Sequence, residues 1–369
     1  MLLKSTFSTQ IKMKKIICLL SLVLVFLLPL SAQKLVWNAN LNYFFDNTEY
    51  AKSTITKDQT MTGVHFAPEI GLAIDSVHSF FAGADLLKTA GSQNVIDDIQ
   101  PLAYYRYQNQ KVSFYAGAFS RSELLSNYSD LFFQDSVNYY RPTLTGIFWQ
   151  MGKKSSFFNL WLDWSGHQTA TVRETFFAGA SAHHKFGLMF LDFQSYMFHF
   201  ADTRPMNPTY SVCDNILAHL SVGVDYSNQT GIDTLLVAAG VLAGGERERS
   251  LANGSYFPVG AVIRLNAEYK GFGTQNMLYF GNARDVFYNK YNNALYWNNP
   301  FLRSGFYFQS KWYLDVIRSQ SVNGRLNLNL HFSEGKLMYE QVFTLRAGLS
   351  SSMKPNLKSK PTFMSNWFN

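Results

Sequence analysis

"RLNLNLHF", residues 325–332, sets Leu326, Leu328, Leu330 and Phe332 against Arg325, Asn327, Asn329 and His331. Such strict alternation is the mark of a strand, because successive side chains of an extended chain point to opposite faces. The octapeptide alone does not say whether its apolar face meets a soluble core or lipid. The rest of the chain decides that.

The 369 residues are 16% aromatic and only 15% charged, against roughly 25% charged in an average soluble domain. Mean hydropathy is nonetheless −0.10, so the apolar residues are scattered singly among Asn, Gln, Ser and Gly. One long apolar run exists. "MKKIICLLSLVLVFLLPLSAQ", residues 13–33, has Lys14 and Lys15, then Ile16 to Leu28, then Ser31 and Ala32 before Gln33. That order of basic, apolar and small residues is a secretory signal peptide, with Met13 as the expected initiator. The run is shorter than the roughly 20 residues of a membrane-spanning helix. The signal occupies residues 1–32 and holds four lysines and no acid, so its removal takes the formal charge from +7 to +3. The basic balance is thus partly an export signal, and a nucleic-acid partner is not expected. Cys18 leaves with it, and the remaining Cys213 leaves no internal disulfide to form.

Beyond residue 33 about sixteen period-2 segments follow. In 61–75, Val64, Phe66, Pro68, Ile70, Leu72 and Ile74 oppose His65, Glu69 and small residues. In 216–226, Ile216, Leu220, Val222 and Val224 fall on the face opposite His219, Ser221 and Asp225. The connections between segments run long and short in turn: 46–60, 75–79, 88–100, 108–111, 122–140, 152–155 and onward, every odd one longer than its even neighbours except the last, 333–335, which is short. Outer-membrane meanders have this pattern, with short periplasmic turns and longer extracellular loops. Aromatics gather near segment ends, among them Trp37, Phe45, Tyr104, Trp149, Trp161, Trp164, Tyr226 and Trp312, as interfacial girdles require. The expected fold is all-β: a transmembrane antiparallel meander β-barrel of about sixteen strands over residues 33–348, with 349–369 as a periplasmic tail. A secreted β-sandwich is the alternative, and it leaves the alternating loops unexplained.

With its signal ending in Ala-Gln, its even meander and "LWLDWSGHQTATVRETFFAGAS" (160–181), the mature chain resembles the porin-like outer-membrane barrels of Gram-negative bacteria. The resemblance implies outer-membrane lipid as surroundings and passive diffusion of small polar solutes. One departure is the end of the chain. Such barrels commonly close on an aromatic residue, whereas the last strand here is followed by a tail carrying Pro355 and Pro361, which strands avoid.

The period-2 registers send Glu69, Arg106, Arg121, Arg141, Arg264, Glu268, Lys311, Arg325, Glu340 and Arg346 toward the lumen as pore-wall candidates. The mixture of signs points to a weakly selective pore or a salt-bridged, partly plugged one. The connection 122–140 carries Glu123, Asp130 and Asp135 among Leu124, Leu125, Leu131, Phe132 and Phe133. It is expected to fold inward as a constriction, its acids opposite Arg106, Arg121 and Arg141; a surface loop packed on its neighbours is the alternative. The connection 282–304 combines Tyr291, Tyr296 and Trp297 with asparagines. It is a candidate glycan or protein contact at the extracellular surface, or a self-packed cap.

Enzyme signals are weak. No HExxH or CxxC spacing is present, so no metal or cofactor is called for. "GFGTQN" at 271 is a turn, and His219, Ser221 and Asp225 share a strand face as polar residues of any wet barrel do. A barrel hydrolase would need Ser/His or Asp/His on neighbouring strands near the outer rim. The expectation from sequence is a channel and not an enzyme, then an accessory barrel docking a partner through its loops, and third an outer-membrane hydrolase.

Overall fold

A computed structural model describes residues 33–351 except 52, 127 and 154. The expected signal peptide and nearly all of the expected tail lie outside the described residues. Sixteen long strands form one closed antiparallel barrel: β1 (Lys34–Glu49), β2 (Gln59–Ala73), β3 (His78–Thr89), β4 (Asp98–Gln108), β5 (Val112–Ser120), β6 (Thr143–Lys153), β7 (Ser156–Gly166), β8 (Thr175–Phe186), β9 (Met189–Phe200), β10 (Cys213–Asp225), β11 (Thr234–Glu248), β13 (Val259–Tyr269), β14 (Phe272–Gly281), β15 (Phe306–Arg318), β16 (Val322–Ser333) and β17 (Lys336–Ser350). The two-residue β12 (Ser255–Tyr256) extends the end of β11. Each strand pairs with its sequence neighbours, and β1 closes the ring against β17. Among the described residues closure leaves no strand edge unpaired, the condition for crossing lipid with strands.

The outer surface is apolar and the inner surface polar or packed. In the opening segment Leu326 and Leu328 are 47% and 44% exposed on the outside. Asn329 and His331, from the opposite face, are buried within. This wall meets lipid, and the protein is an outer-membrane barrel. Trp37, Phe45, Trp164, Tyr226 and Trp312 lie exposed on the outside, whereas Tyr104 and Trp161 are buried inside and belong to no girdle. The turns at one end are short. Lys270 and Gly271, both at positive φ, make the two-residue hairpin between β13 and β14, the backbone that matches strand twist. At the other end the connections are long save the last, the two-residue Glu334–Gly335 hairpin; the third (L3, residues 121–142) and the seventh (L7, residues 282–305) turn into the barrel.

Those two loops fill the extracellular half of the lumen. Leu124, Leu131, Phe132, Phe133 and Val137 of L3 join Tyr291, Leu295, Tyr296, Trp297, Phe301 and Leu302 of L7 in one buried cluster with the inner wall. Fully burying one such side chain stabilises by about 1.5–3 kcal/mol. The loops also pair with one another: the Gln134 N–H donates to the Trp297 carbonyl at 2.8 Å, and the Asn299 N–H to the Leu131 carbonyl at 3.2 Å. L3 holds two short helices, α1 (Ser122–Leu125) and α2 (Asp135–Tyr140), and L7 a third, α3 (Tyr288–Tyr291). Helical turns satisfy backbone groups that would otherwise be unpaired inside the barrel.

Candidate functional site

The lumen charges are largely neutralised by each other. Buried Arg121 donates to Asp163 at 2.5 Å and to the carbonyls of Arg141 and Thr143. Arg264 reaches Asp192 and Ser221, Arg325 pairs with Asp315 at 2.6 Å, and Glu268 accepts from Tyr313 and meets Arg318. Glu69 accepts from Asn38 and Tyr104. Glu340 accepts from Asn329 and lies 3.6 Å from His331. Arg141 lies over the Trp297 ring. The acids of L3 do not face the three arginines expected from sequence. Asp130 and Asp135 meet Lys311 at 2.9 and 3.5 Å, because L3 crosses the lumen to the β15 wall. The Glu123 side chain lies outside what the structure describes. Tyr291, Tyr296 and Trp297 are buried in the plug, packed against Phe200, Tyr288 and Phe177 respectively.

The outer wall carries a different arrangement. Along β9, Phe190, Asp192, Gln194, Tyr196, Phe198 and Phe200 point inward and are buried, which sends Met189, Leu191 and His199 outward. Along β10, Ile216, Leu220 and Val222 are exposed on the outside, and Asp214 has their parity but is buried. His199 and Asp214 are direct partners in the β9–β10 register. His199 Nδ1 lies 2.7 Å from Asp214 Oδ1. β9 rises from a short turn and ends at the long loop 201–212, so this pair sits on the lipid-facing wall at the extracellular rim. On its other side His199 packs against Phe176 at 4.9 Å, and Phe176 stacks on exposed Trp164 at 5.0 Å. The imidazole is held between a ring and a carboxylate.

Arginines complete the rim. Arg249 grips Asp214 with two bonds, Nε to Oδ2 at 2.9 Å and Nη2 to Oδ1 at 3.1 Å. Arg247 is exposed opposite Asp214 in the β10–β11 register. With Asp214 accepting from Nδ1–H, Nε2 of the neutral ring is the nitrogen left to accept a proton. It has no protein partner among the described residues, and the His199 side chain remains 17% exposed. A histidine oriented by a carboxylate, with Nε2 free at a surface, has the geometry of a general base. Sequence reasoning missed this site. Its residues stand fifteen positions apart, joined only by the strand pairing, and the one signal was a lone His between two phenylalanines in "FHF" (198–200).

Fold and rim together define a porin-like outer-membrane β-barrel with an acid–base pair on its lipid-facing wall. The chain belongs to the lipid A 3'-O-deacylase-type family, whose model matches residues 27–363. This overturns the expectation that the protein is not an enzyme, since the family is one of deacylases. No curated protein sequence matches the chain. Among solved structures, OmpTdeltaL8, a loop-deletion mutant of an outer membrane protein of Vibrio cholerae, is 9% identical with a TM-score of 0.52, covering 86% of this chain and all of that one. An anion-selective porin from Comamonas acidovorans is 10% identical with a TM-score of 0.48, covering 86% and 99%. The outer membrane protein opdK of Pseudomonas aeruginosa is 9% identical with a TM-score of 0.45, covering 86% and 99%. At these identities the likeness is one of fold.

Proposed function

We propose that the protein hydrolyses an acyl ester of an outer-leaflet glycolipid of the lipid A type, using His199 as general base on its lipid-facing wall. The observation that carries this reading is the outward His199–Asp214 pair at the extracellular rim. That is the level at which headgroup esters of the outer leaflet meet the barrel. In the reaction, Nε2 of His199 takes a proton from water as its oxygen attacks the ester carbonyl. The tetrahedral intermediate collapses, the proton passes from Nε2 to the departing sugar oxygen, and the fatty acid leaves as the carboxylic acid. Asp214 holds the Nδ1–H tautomer and stabilises the imidazolium. Arg247 and Arg249 supply the positive charge that suits a phosphorylated headgroup and a developing oxyanion.

Passive diffusion of small polar solutes needs a continuous water path, and L3 and L7 occupy the extracellular half of the lumen. The plugged interior therefore favours the wall over the pore as the working surface. Purified barrel in mixed micelles with lipid A, assayed for released fatty acid by mass spectrometry, tests the reading. Release by the wild type and its loss in His199→Gln is the expected result. Equal release by both would remove His199 from the reaction, and no release by the wild type would end the esterase reading.

A further inference from the structure

Below the plug the lumen opens into a cavity of about 740 Å³. Its roof is L3, through Tyr128, Ser129, Phe133 and Asn138, and its mouth lies at the short turn 319–321 and Gly348, at the periplasmic end. That volume is within the range of small-molecule sites, about 300–1,000 Å³.

The charges lining it are unequally satisfied. Every acid is engaged: Glu69 accepts from Asn38 at 2.9 Å and Tyr104 at 3.1 Å, and Asp85 lies 2.5 Å from His65 Nδ1. Asp130 and Asp135 share Lys311. Among the bases, Arg121 is taken by Asp163. Arg106 and Arg346 are not taken. Neither has an ion pair or a side-chain hydrogen bond among the described residues; Arg106 lies over the Phe81 ring at 4.6 Å, and its Nε is buried without an acceptor. Arg346 faces Asn42 across the β1–β17 pair and Asn323 across β16–β17, and the Asn42 side-chain carbonyl is also buried without a donor. A buried polar atom left unpaired costs about 1–3 kcal/mol, and a ligand that supplies the partner recovers it.

We propose that this vestibule is a binding pocket for a small hydrophilic anion, carboxylated or phosphorylated, taken from the periplasm and held by Arg106 and Arg346. The guanidinium fork matches both anion classes, and the asparagines around Arg346 suit the hydroxyls of such a solute. The site is separate from the lipid-facing pair: it faces the opposite compartment, and the roof of L3 stands above it.

Isothermal titration of the full-length barrel in detergent at low salt, with glucose 6-phosphate, citrate and neutral glucose as probes, tests the proposal. One or both anions bind and glucose does not; which anion binds tells phosphate from carboxylate recognition. The double variant Arg106→Gln/Arg346→Gln weakens anion binding by roughly 10- to 100-fold, the worth of one or two charged hydrogen bonds. His199→Gln binds the anion as the wild type does, which separates this site from the ester reaction. Failure of both anions to bind the wild type overturns the proposal, as does undiminished binding by the double variant. Heat-shifted migration on gels reports whether each variant is a folded barrel. Arg346→Gln alone, at an exposed position, carries the test if the double variant does not fold.

Discussion

Each rim of the outer wall carries a histidine bonded to a neighbouring strand, and the periplasmic rim carries a second, His78, whose Nδ1 lies 2.6 Å from the Tyr105 hydroxyl and whose Nε2 lies 3.9 Å from Asp75. At the extracellular rim His199 lies 2.7 Å from Asp214; at the periplasmic rim His184 Nδ1 lies 2.8 Å from Ser156 Oγ. The two differ in what stands behind the ring. His199 has a carboxylate, two arginines and a packed aromatic on its flank. His184 has a hydroxyl and, among the described residues, no carboxylate within ion-pair distance. The interior differs in the same sense. Behind the extracellular rim the lumen is packed with L3 and L7 around a small void of about 120 Å³, and behind the periplasmic rim it opens into the larger cavity. A rigid backing fixes a lipid-facing pair, while a hollow one leaves room for a soluble ligand.

The sharpest way to break this contrast is at His199. General acid–base groups contribute about 10²–10⁴-fold, so His199→Gln should lower fatty-acid release by that range with KM little changed. Asp214→Asn keeps the shape but disturbs the tautomer and the Arg249 pair, and should cost nearly as much. Initial rates on lipid A micelles check both. Because His199 is part-exposed, the detergent stability of His199→Gln should stay close to wild type, whereas Asp214 is buried under Arg249 and its variant should lose some stability; a collapse in folding of His199→Gln would mean the pair is a brace.

The packed interior is tested next. Phe132 is wholly buried, edge-on to Tyr128 at 5.1 Å and Tyr196 at 5.6 Å. Phe132→Ala should destabilise by about 3–5 kcal/mol, read from urea unfolding in detergent. Arg346→Gln, in the hollow half, should stay within about 0.5 kcal/mol. Planar-bilayer recording adds a second readout, with Phe132→Ala expected to raise conductance as the plug loosens.

The barrel was legible from sequence because its cause is local. Period-2 faces, the Lys270–Gly271 hairpin and the alternation of loop lengths each sit within a few residues of one another. The sites were not, because their causes are distant. Lys311 on β15 captures Asp130 and Asp135 from L3, nearly 180 positions earlier, so the acids leave the arginines to which sequence assigned them. "RETFFAGAS" shows Phe176 as one more outward aromatic, and "FHF" shows His199 as a strand end. Only the register that sets Phe176, His199 and Asp214 side by side across three strands turns them into a site. The inward turn of L3 is a middle case. Its apolar content announces burial, but its partner, L7, reads as a self-packed cap or a glycan contact rather than as a segment packed inside the lumen against L3.

A smaller effect should come from pH. Asp285 of L7 is buried beside Glu246, and lost hydration together with that neighbouring carboxylate raises its pKa to about 7. Glu246 itself anchors the loop by accepting from the N–H groups of Asp285 and Val286, each at 2.8 Å, and from the Tyr296 hydroxyl. A carboxyl with a folded-state value above its unfolded one favours docking when protonated. L7 docking is therefore strongest below about pH 4, weakens as pH rises toward 7 and has lost this contribution above it. Thermal midpoints of the barrel should fall between about pH 4 and 7 and level off above that. Asp285→Asn should flatten the profile and raise the midpoint at pH 8, and an unchanged slope would show that Asp285 is not the titrating group.

The smallest effect is expected at the periplasmic rim, and it is the control for the whole contrast. Ser156→Ala removes the one side-chain bond to His184 among the described residues. Both residues are exposed, so stability should move by no more than about 0.5 kcal/mol. Ester hydrolysis should be unchanged, because a histidine with no acid behind it is held in neither tautomer and lacks a counter-charge for its protonated form. The serine also faces the inner leaflet, away from outer-leaflet glycolipid. If Ser156→Ala instead abolished fatty-acid release while His199→Gln did not, the reaction would belong to the periplasmic rim, with Ser156 as nucleophile and phospholipid of the inner leaflet as substrate.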